Sequence, residues 1–285
     1  MKKGVDIGGT FIKVFWEDGR REKHYIKDMS RDRSAFLERI REIAFEGNPE
    51  SVGVAVAGFT SKDGLVYRSP NVPALDGVNL REVLEGLNVK VVNDVSAGAF
   101  GEWLYDHKNS KVLLFVAIGT GLGGGLVVEG KPFLGACGSS LELGHHTIKL
   151  DGEVCSCGRR GCWEAYCSSY GLERFYHKLT GEKLKDFDIV RRAEGGEDAA
   201  LRAVEEFKKH LLIGLMNAVH ILNPDRLVLG GGLVEAMKGF LGGLEEELRS
   251  MCETLPGLCF SLSFSTCAEY CMARGALALT YLDDV

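Results

Sequence analysis

A basic excess is missing from this chain: 34 Lys and Arg stand against 40 Asp and Glu, a formal net charge of −6. Without a cationic face it lacks what a general nucleic-acid binder uses to meet phosphates, although a compact phosphate site built from backbone N–H groups needs no net charge. Long hydrophobic runs are missing as well. No stretch approaches the roughly 20 apolar residues that span a bilayer, and Met1-Lys2-Lys3-Gly4-Val5-Asp6 lacks the apolar region of a signal peptide. Proline is scarce, 6 residues against 37 glycines. Those glycines cluster between apolar strands and form no regular repeat, which excludes collagen-like and disordered chains. Neither G-x-x-x-x-G-K-S/T nor a G-x-G-x-x-G between strand and helix occurs, so neither a P-loop nor a Rossmann site is expected.

Cysteine is not scarce. There are nine, an odd number, and three fall within eight residues. A reducing cytoplasm with a metal site explains this better than a secreted disulfide framework.

The chain opens as strand, turn, strand: Gly4–Ile7, the turn Gly8-Gly9-Thr10, then Phe11–Trp16, with Asp18-Gly19 as a hairpin signal before the next extended stretch. Apolar residues at helical spacing predict a helix over Ser34–Phe45. Short buried strands are expected at Val52–Val56 and Val89–Val92, the second running into Asn93-Asp94 and a helix. The same grammar then returns: Val112–Ile118, Gly119-Thr120-Gly121 and Leu122–Val128 form a weak internal duplication, consistent with two similar α/β halves facing a cleft. A long helix near Ala199–Leu222, a strand Arg226–Leu229, Gly230-Gly231-Gly232 opening a helix, and a last helix over Cys271–Leu282 complete the pattern. The expected domains are a small lobe, residues 1–106 plus 271–285, and a large lobe, 107–270.

Both glycine turns are candidate phosphate loops, because glycine permits positive φ and close approach to phosphate oxygens, and threonine adds a hydroxyl donor. Alone, either turn reads first as an ordinary hairpin; as a pair they can clamp one nucleotide. Asp6, in an apolar strand before the first turn, needs a partner, either Mg2+ or the turn's own N–H groups. Gly230-Gly231-Gly232 lets a nucleobase or ribose approach the backbone, or is simply a tight turn. Asp94 ends a buried strand, where it is either a helix N-cap or a general base. Asn93 beside it offers donor and acceptor to sugar hydroxyls.

The strongest local pattern is Glu142-Leu143-Gly144-His145-His146 followed by Cys155-x-Cys157-Gly158-x-x-Gly161-Cys162-x-Glu164. Three thiols with glycines for a sharp knuckle and an upstream imidazole match a closed Cys3His zinc site. Glu142 and Glu164 flank it, as sugar ligands held still by the metal or as solvated surface acids. The other cysteines, Cys137, Cys167, Cys252, Cys259, Cys267 and Cys271, are expected as packing residues.

These motifs, in order along nearly the whole chain, resemble the ROK family of bacterial sugar kinases and regulators. Asp6-Ile7-Gly8-Gly9-Thr10 and Gly119-Thr120-Gly121 are similar to its phosphate motifs, Asn93-Asp94 to its sugar-binding and catalytic pair, and the His/Cys segment to its zinc signature. Asn223-Pro224-Asp225 with Gly230-Gly231-Gly232 resembles its segment near the adenosine. The resemblance implies an α/β, actin-like ATPase (ribonuclease H-like) fold, two lobes around a cleft that closes on sugar and ATP. It implies Asp94 as base and Asn71, Asn93, Asp94, Glu142, His145 and Glu164 as sugar ligands. Asp6 would hold Mg2+, and His145, Cys155, Cys157 and Cys162 would hold Zn2+. Gly8, Gly9, Thr10, Gly119, Thr120, Gly121, Gly230, Gly231 and Gly232 would bind the nucleotide. Ala57 and Ser96 depart from the family's usual proline and asparagine, which weakens any choice of sugar. The expectation is an ATP-dependent hexose kinase, with glucose phosphorylated at the 6-hydroxyl and an N-acetylated hexosamine or other hexose as the alternative. The protein is expected to be cytoplasmic and a homodimer. A sugar-responsive repressor is disfavoured, because the first strand starts too near Met1 for a helix-turn-helix extension and the charge is acidic.

Overall fold

A computed structural model describes residues 1–29, 32–252 and 255–283. Positions 30, 31, 253, 254, 284 and 285, all inside the expected lobes, lie outside the described residues. In chain order, β1 (Lys2–Ile7), β2 (Phe11–Trp16) and β3 (Arg21–Tyr25) form an antiparallel meander. Helix α1 (Arg33–Phe45) starts where the Asp32 carboxylate accepts the Ser34 and Ala35 N–H groups, and buries Phe36, Ile40 and Ile43 at helical spacing. Then come β4 (Ser51–Val56), a small sheet of β5 (Phe59–Thr60), β6 (Leu65–Arg68) and β7 (Val78–Asn79), and α2 (Leu80–Val83). Next are β8 (Val89–Asn93) and α3 (Asp94–Asp106). Strands β9 (Val112–Ile118), β10 (Leu122–Val128) and β11 (Lys131–Pro132) repeat the opening motif. Helices α4 (Ser169–Thr180), α5 (Asp186–Glu194) and α6 (Asp198–Leu222) follow. The chain ends through β12 (Arg226–Gly230), α7 (Gly232–Met237), α8 (Leu244–Met251), α9 (Leu255–Cys259), β13 (Ser261–Phe264) and α10 (Cys271–Leu279).

Two compact units result. The first holds Met1–Phe115, Gly125–Leu141 and Glu269–Val285; the second holds Val116–Gly124 and Glu142–Ala268. Residues 107–115, 125–141 and 269–270 thus join the N-terminal unit, where the expected 107–270 lobe had excluded them. The cause is packing on α3: an added Cβ at Gly125 would lie 2.6 Å from both Ala99 Cβ and Val95 O. In the first unit β1, β4 and β8 are parallel, and the sheet order is β3-β2-β1-β4-β8. Its core gathers Val5, Ile7, Ile12, Val54 and Phe36, each buried, at roughly 1.5–3 kcal/mol per large side chain. Helix α10 lies so close to this sheet that Gly4 and Gly53 leave no space for a Cβ.

The second large sheet runs β11-β10-β9-β12-β13, with β12 and β13 parallel and β10 and β11 antiparallel. The strand order is that of the first sheet, so the repeat of strand, glycine turn and strand in sequence extends to topology. Helix α6 spans 25 residues and turns Val204, Phe207, Leu211, Leu215 and Val219 inward, the apolar stripe of a core-facing helix. No helix is long and apolar enough to cross a membrane, among the described residues.

Candidate active site

In the first unit, β1 delivers Asp6 to the edge of the turn Gly8-Gly9-Thr10. The turn is closed by the Gly8 N–H donating to Phe11 O at 3.1 Å. Gly8 and Gly9 do not adopt the positive φ expected of them, nor do Gly119 and Gly121. Crowding accounts for glycine at position 9: a Cβ there would stand 2.7 Å from the Asn71 carbonyl oxygen. That contact also places the exposed Asn71 beside the first turn. The Asp6 carboxyl is 8% exposed. Burial, followed by repulsion from the Asp94 carboxylate and partly offset by Lys13, pushes its pKa up to about 7. Among the described residues no donor to Asp6 is found, so the turn's N–H groups are not its partners. A buried carboxylate in that state fits a hard oxygen-seeking cation such as Mg2+.

The cap of α3 is Asn93, not Asp94. Its side-chain oxygen accepts the Val95 and Ser96 N–H groups at 3.0 and 3.1 Å, and its amide donates to Gly58 O at 3.1 Å. The shift by one residue follows from β8 extending through Asn93. Asp94, relieved of capping, is half-buried, with Oδ1 accepting the Val95 N–H at 2.9 Å. Burial raises its pKa, and that backbone hydrogen bond opposes the rise.

The second unit carries the thiol knuckle. His145, Cys155, Cys157 and Cys162 bring one ligand atom each to within 4.8 Å of all the others. Cys157 Sγ lies 3.7 Å from Cys162 Sγ, and Cys155 Sγ lies 3.6 Å from His145 Nδ1. A tetrahedron with Zn–S near 2.3 Å and Zn–N near 2.0–2.1 Å has edges of about 3.8 and about 3.6 Å. The donor set therefore fits zinc in both chemistry and spacing. The hairpin is pinned by Cys155 N–H to Arg159 O at 2.8 Å and by Gly158 N–H to Cys155 O at 2.9 Å. Trp163, fully buried next to Cys162, donates its indole N–H to His210 O at 3.1 Å and stands edge-on to His146. Of the remaining cysteines, Cys167, Cys252 and Cys271 are buried as packing residues, whereas Cys137 and Cys259 are exposed. Cys137 lies in a turn, Cys259 ends α9, and Cys267 is half-buried.

Glu142 is exposed, but Glu164 is not the solvated acid its residue type suggests. Its Oε1 accepts from Ser156 Oγ at 2.6 Å and Tyr170 Oη at 3.0 Å, and its Oε2 accepts the Leu122 N–H at 3.0 Å. The second turn is held at its other end by Ser169, whose N–H and Oγ both donate to Gly119 O at 2.8 and 2.9 Å. Gly119 and Thr120 line a cavity of about 490 Å³ with Ser169, Tyr170, Lys185, Asp186, Phe187 and Gly232, a size typical of small-molecule sites. A Cβ on Gly119 would meet nothing within 4 Å, so the turn is open to a ligand there. Gly230 ends β12 and Gly231 precedes α7; of the three glycines, Gly232 is the one on the cavity wall. Sequence reasoning missed Ser156, Ser169, Tyr170, Asp186 and Phe187. The one signal for them was Ser168, which caps α4 through the Gly171 N–H.

The sequence profile of the ROK family matches residues 2–281. Kanosamine kinase of Amycolatopsis mediterranei is 31% identical over 301 residues, 98% of this chain and 95% of that protein. N-acetyl-D-glucosamine kinase of Pectobacterium atrosepticum is 33% identical over 255 residues, 82% of this chain and 84% of that protein. A ROK family glucokinase from Streptomyces griseus, solved in complex with glucose and AMPPNP, superposes with a TM-score of 0.81 at 26% identity, over 98% of each chain.

Proposed function

We propose that this chain, which belongs to the ROK family, has the actin-like ATPase fold and is an ATP-dependent sugar kinase, transfers the γ-phosphoryl group to the 6-hydroxyl of glucose. The observation that carries the reading is Asp94: a half-buried carboxylate at a helix start, freed of capping by Asn93, with its pKa raised. In that setting it accepts the proton of the attacking hydroxyl as a general base. Asn71, Asn93, Glu142, His145 and Glu164 are the proposed sugar ligands. Asn93 keeps one amide N–H beyond the one spent on Gly58, and His145 keeps Nε2 when Nδ1 faces the thiols. Gly8, Gly9, Thr10, Gly119, Thr120 and Gly121 position phosphates, and Gly230, Gly231 and Gly232 the adenosine.

Asp6 would hold Mg2+, which neutralises charge on the transferred group. His145, Cys155, Cys157 and Cys162 would hold Zn2+ as a structural brace with no open coordination position. A homodimer in the cytoplasm completes the proposal; free thiols throughout the chain suit a reducing compartment.

An N-acetylated hexosamine is the second reading. It is favoured by the name of one relative described above, the N-acetyl-D-glucosamine kinase of Pectobacterium atrosepticum. ADP release across a panel of hexoses and hexosamines, with and without a zinc chelator, tests both. The larger kcat/KM with glucose supports the first reading; the larger value with N-acetylglucosamine replaces it with the second. No ADP above the sugar-free rate with any of them rejects both.

A further inference from the structure

Ser156 lies between two thiols of the knuckle, and Tyr170 lies in the first turn of α4. Both hydroxyls converge on one oxygen of Glu164, while the other oxygen of Glu164 takes the N–H that follows Gly119-Thr120-Gly121. The chain of contacts is continuous. Tyr170 Oη also reaches Cys155 Sγ at 3.6 Å and accepts the Ser156 N–H at 3.5 Å, and its residue lines the cavity that holds Gly119 and Thr120. The fit behind the turn is close: a Cβ on Gly121 would stand 2.6 Å from Glu164 Oε2. One carboxylate therefore spans 42 residues of chain between the metal knuckle and the glycine turn. An acid buried to this degree keeps its position only while its donors keep theirs.

We propose that Glu164, pinned by Ser156 and Tyr170, is a positioning residue through which the knuckle's metal sets the shape of the Gly119–Leu122 turn, so that zinc in the knuckle tightens nucleotide binding. This rests on the reading of that turn as a phosphate loop. With the metal absent, Cys155 and Cys157 are untethered, Ser156 moves with them, and the Leu122 N–H loses a fixed acceptor. By linkage, a bound nucleotide raises zinc affinity by the same factor.

The test titrates AMPPNP with Mg2+, without sugar, into the full chain by calorimetry, as zinc-loaded and chelator-stripped protein. Wild type is compared with the double variant Ser156→Ala/Tyr170→Phe, which keeps all four metal ligands and the aromatic ring. Expected are a loss of affinity of about five-fold or more on stripping the wild type, within the usual range of coupling between sites, and a similar loss in the loaded double variant. Stripping the double variant should then change little. If stripping unfolds the chain, the loaded proteins decide: with one zinc per chain and unchanged far-UV dichroism, a weakened double variant supports the coupling and an equal affinity overturns it. A nucleotide affinity indifferent to zinc, or a double variant as zinc-sensitive as wild type, also overturns it. Absence of AMPPNP binding to loaded wild type rejects the phosphate-loop reading together with the coupling.

Discussion

In Val5-Asp6-Ile7-Gly8-Gly9-Thr10 the residue two before the turn is a buried aspartate, whereas in Val116-Ala117-Ile118-Gly119-Thr120-Gly121 it is an alanine. The backbones follow one plan, with a strand, a glycine turn closed on itself and a returning strand inside sheets of the same order. Their electrostatics are opposite. The first turn carries its own carboxylate, near a second one and short of donors. The second is neutral and borrows a carboxylate, Glu164, which already accepts from four donors. A duplicated scaffold can thus give one half a charge available to a cation and the other half a clasp that holds shape.

The largest expected break in this comparison is Asp94→Asn. It should lower turnover by about 10²–10⁴-fold, the range for removing a general base, with sugar affinity retained in a binding assay. Near-normal steady-state turnover contradicts the assignment. Next, Ala117→Asp would copy the acidic strand into the second half. It places an unpaired charge where the native side chain is 8% exposed, at about 3–5 kcal/mol, the scale of an uncompensated buried charge, measurable by urea unfolding. Gly121→Ala drives a methyl into the Glu164 carboxylate and should cost about 1–3 kcal/mol. Gly119→Ala, two residues away and facing open space, should stay within about 0.5 kcal/mol.

A separate effect concerns pH. Asp6 has its folded pKa raised from 3.8 to about 7, so between those values the folded protein binds more protons than the unfolded chain. Stability of the metal-free protein should therefore fall as pH rises through that window. The melting temperature should drop more between pH 5 and pH 7 in wild type than in Asp6→Asn. Equal slopes would remove Asp6 as the cause.

What could be read in the sequence was local. Strands β2, β9 and β10 run over Phe11–Trp16, Val112–Ile118 and Leu122–Val128 as their apolar pattern predicts. The thiol knuckle announced itself because its ligands lie within a short segment. The identity of the α3 cap slipped by one residue, since either Asn93 or Asp94 can cap and the choice depends on where β8 stops. Glu164 read as either a sugar ligand or a surface acid, and its burial was hidden because its partners are a backbone N–H 42 residues earlier, two hydroxyls and a thiol on separate segments. Phe187 and Asp186 joined the cavity wall only once α5 was placed beside α7, a pairing with no signature along the chain.

The indole of Trp163 has a practical consequence. It is sealed from water, fixed by its N–H on His210 and joined through the backbone to Cys162. The other two tryptophans, Trp16 and Trp103, belong to the first unit. Its fluorescence is therefore a built-in optical gauge of the knuckle: loss of the ion should admit solvent to the ring and redden the emission, over a background from the other two that stays constant. Occupancy can then be followed in real time in the unlabelled protein, before any substrate is added.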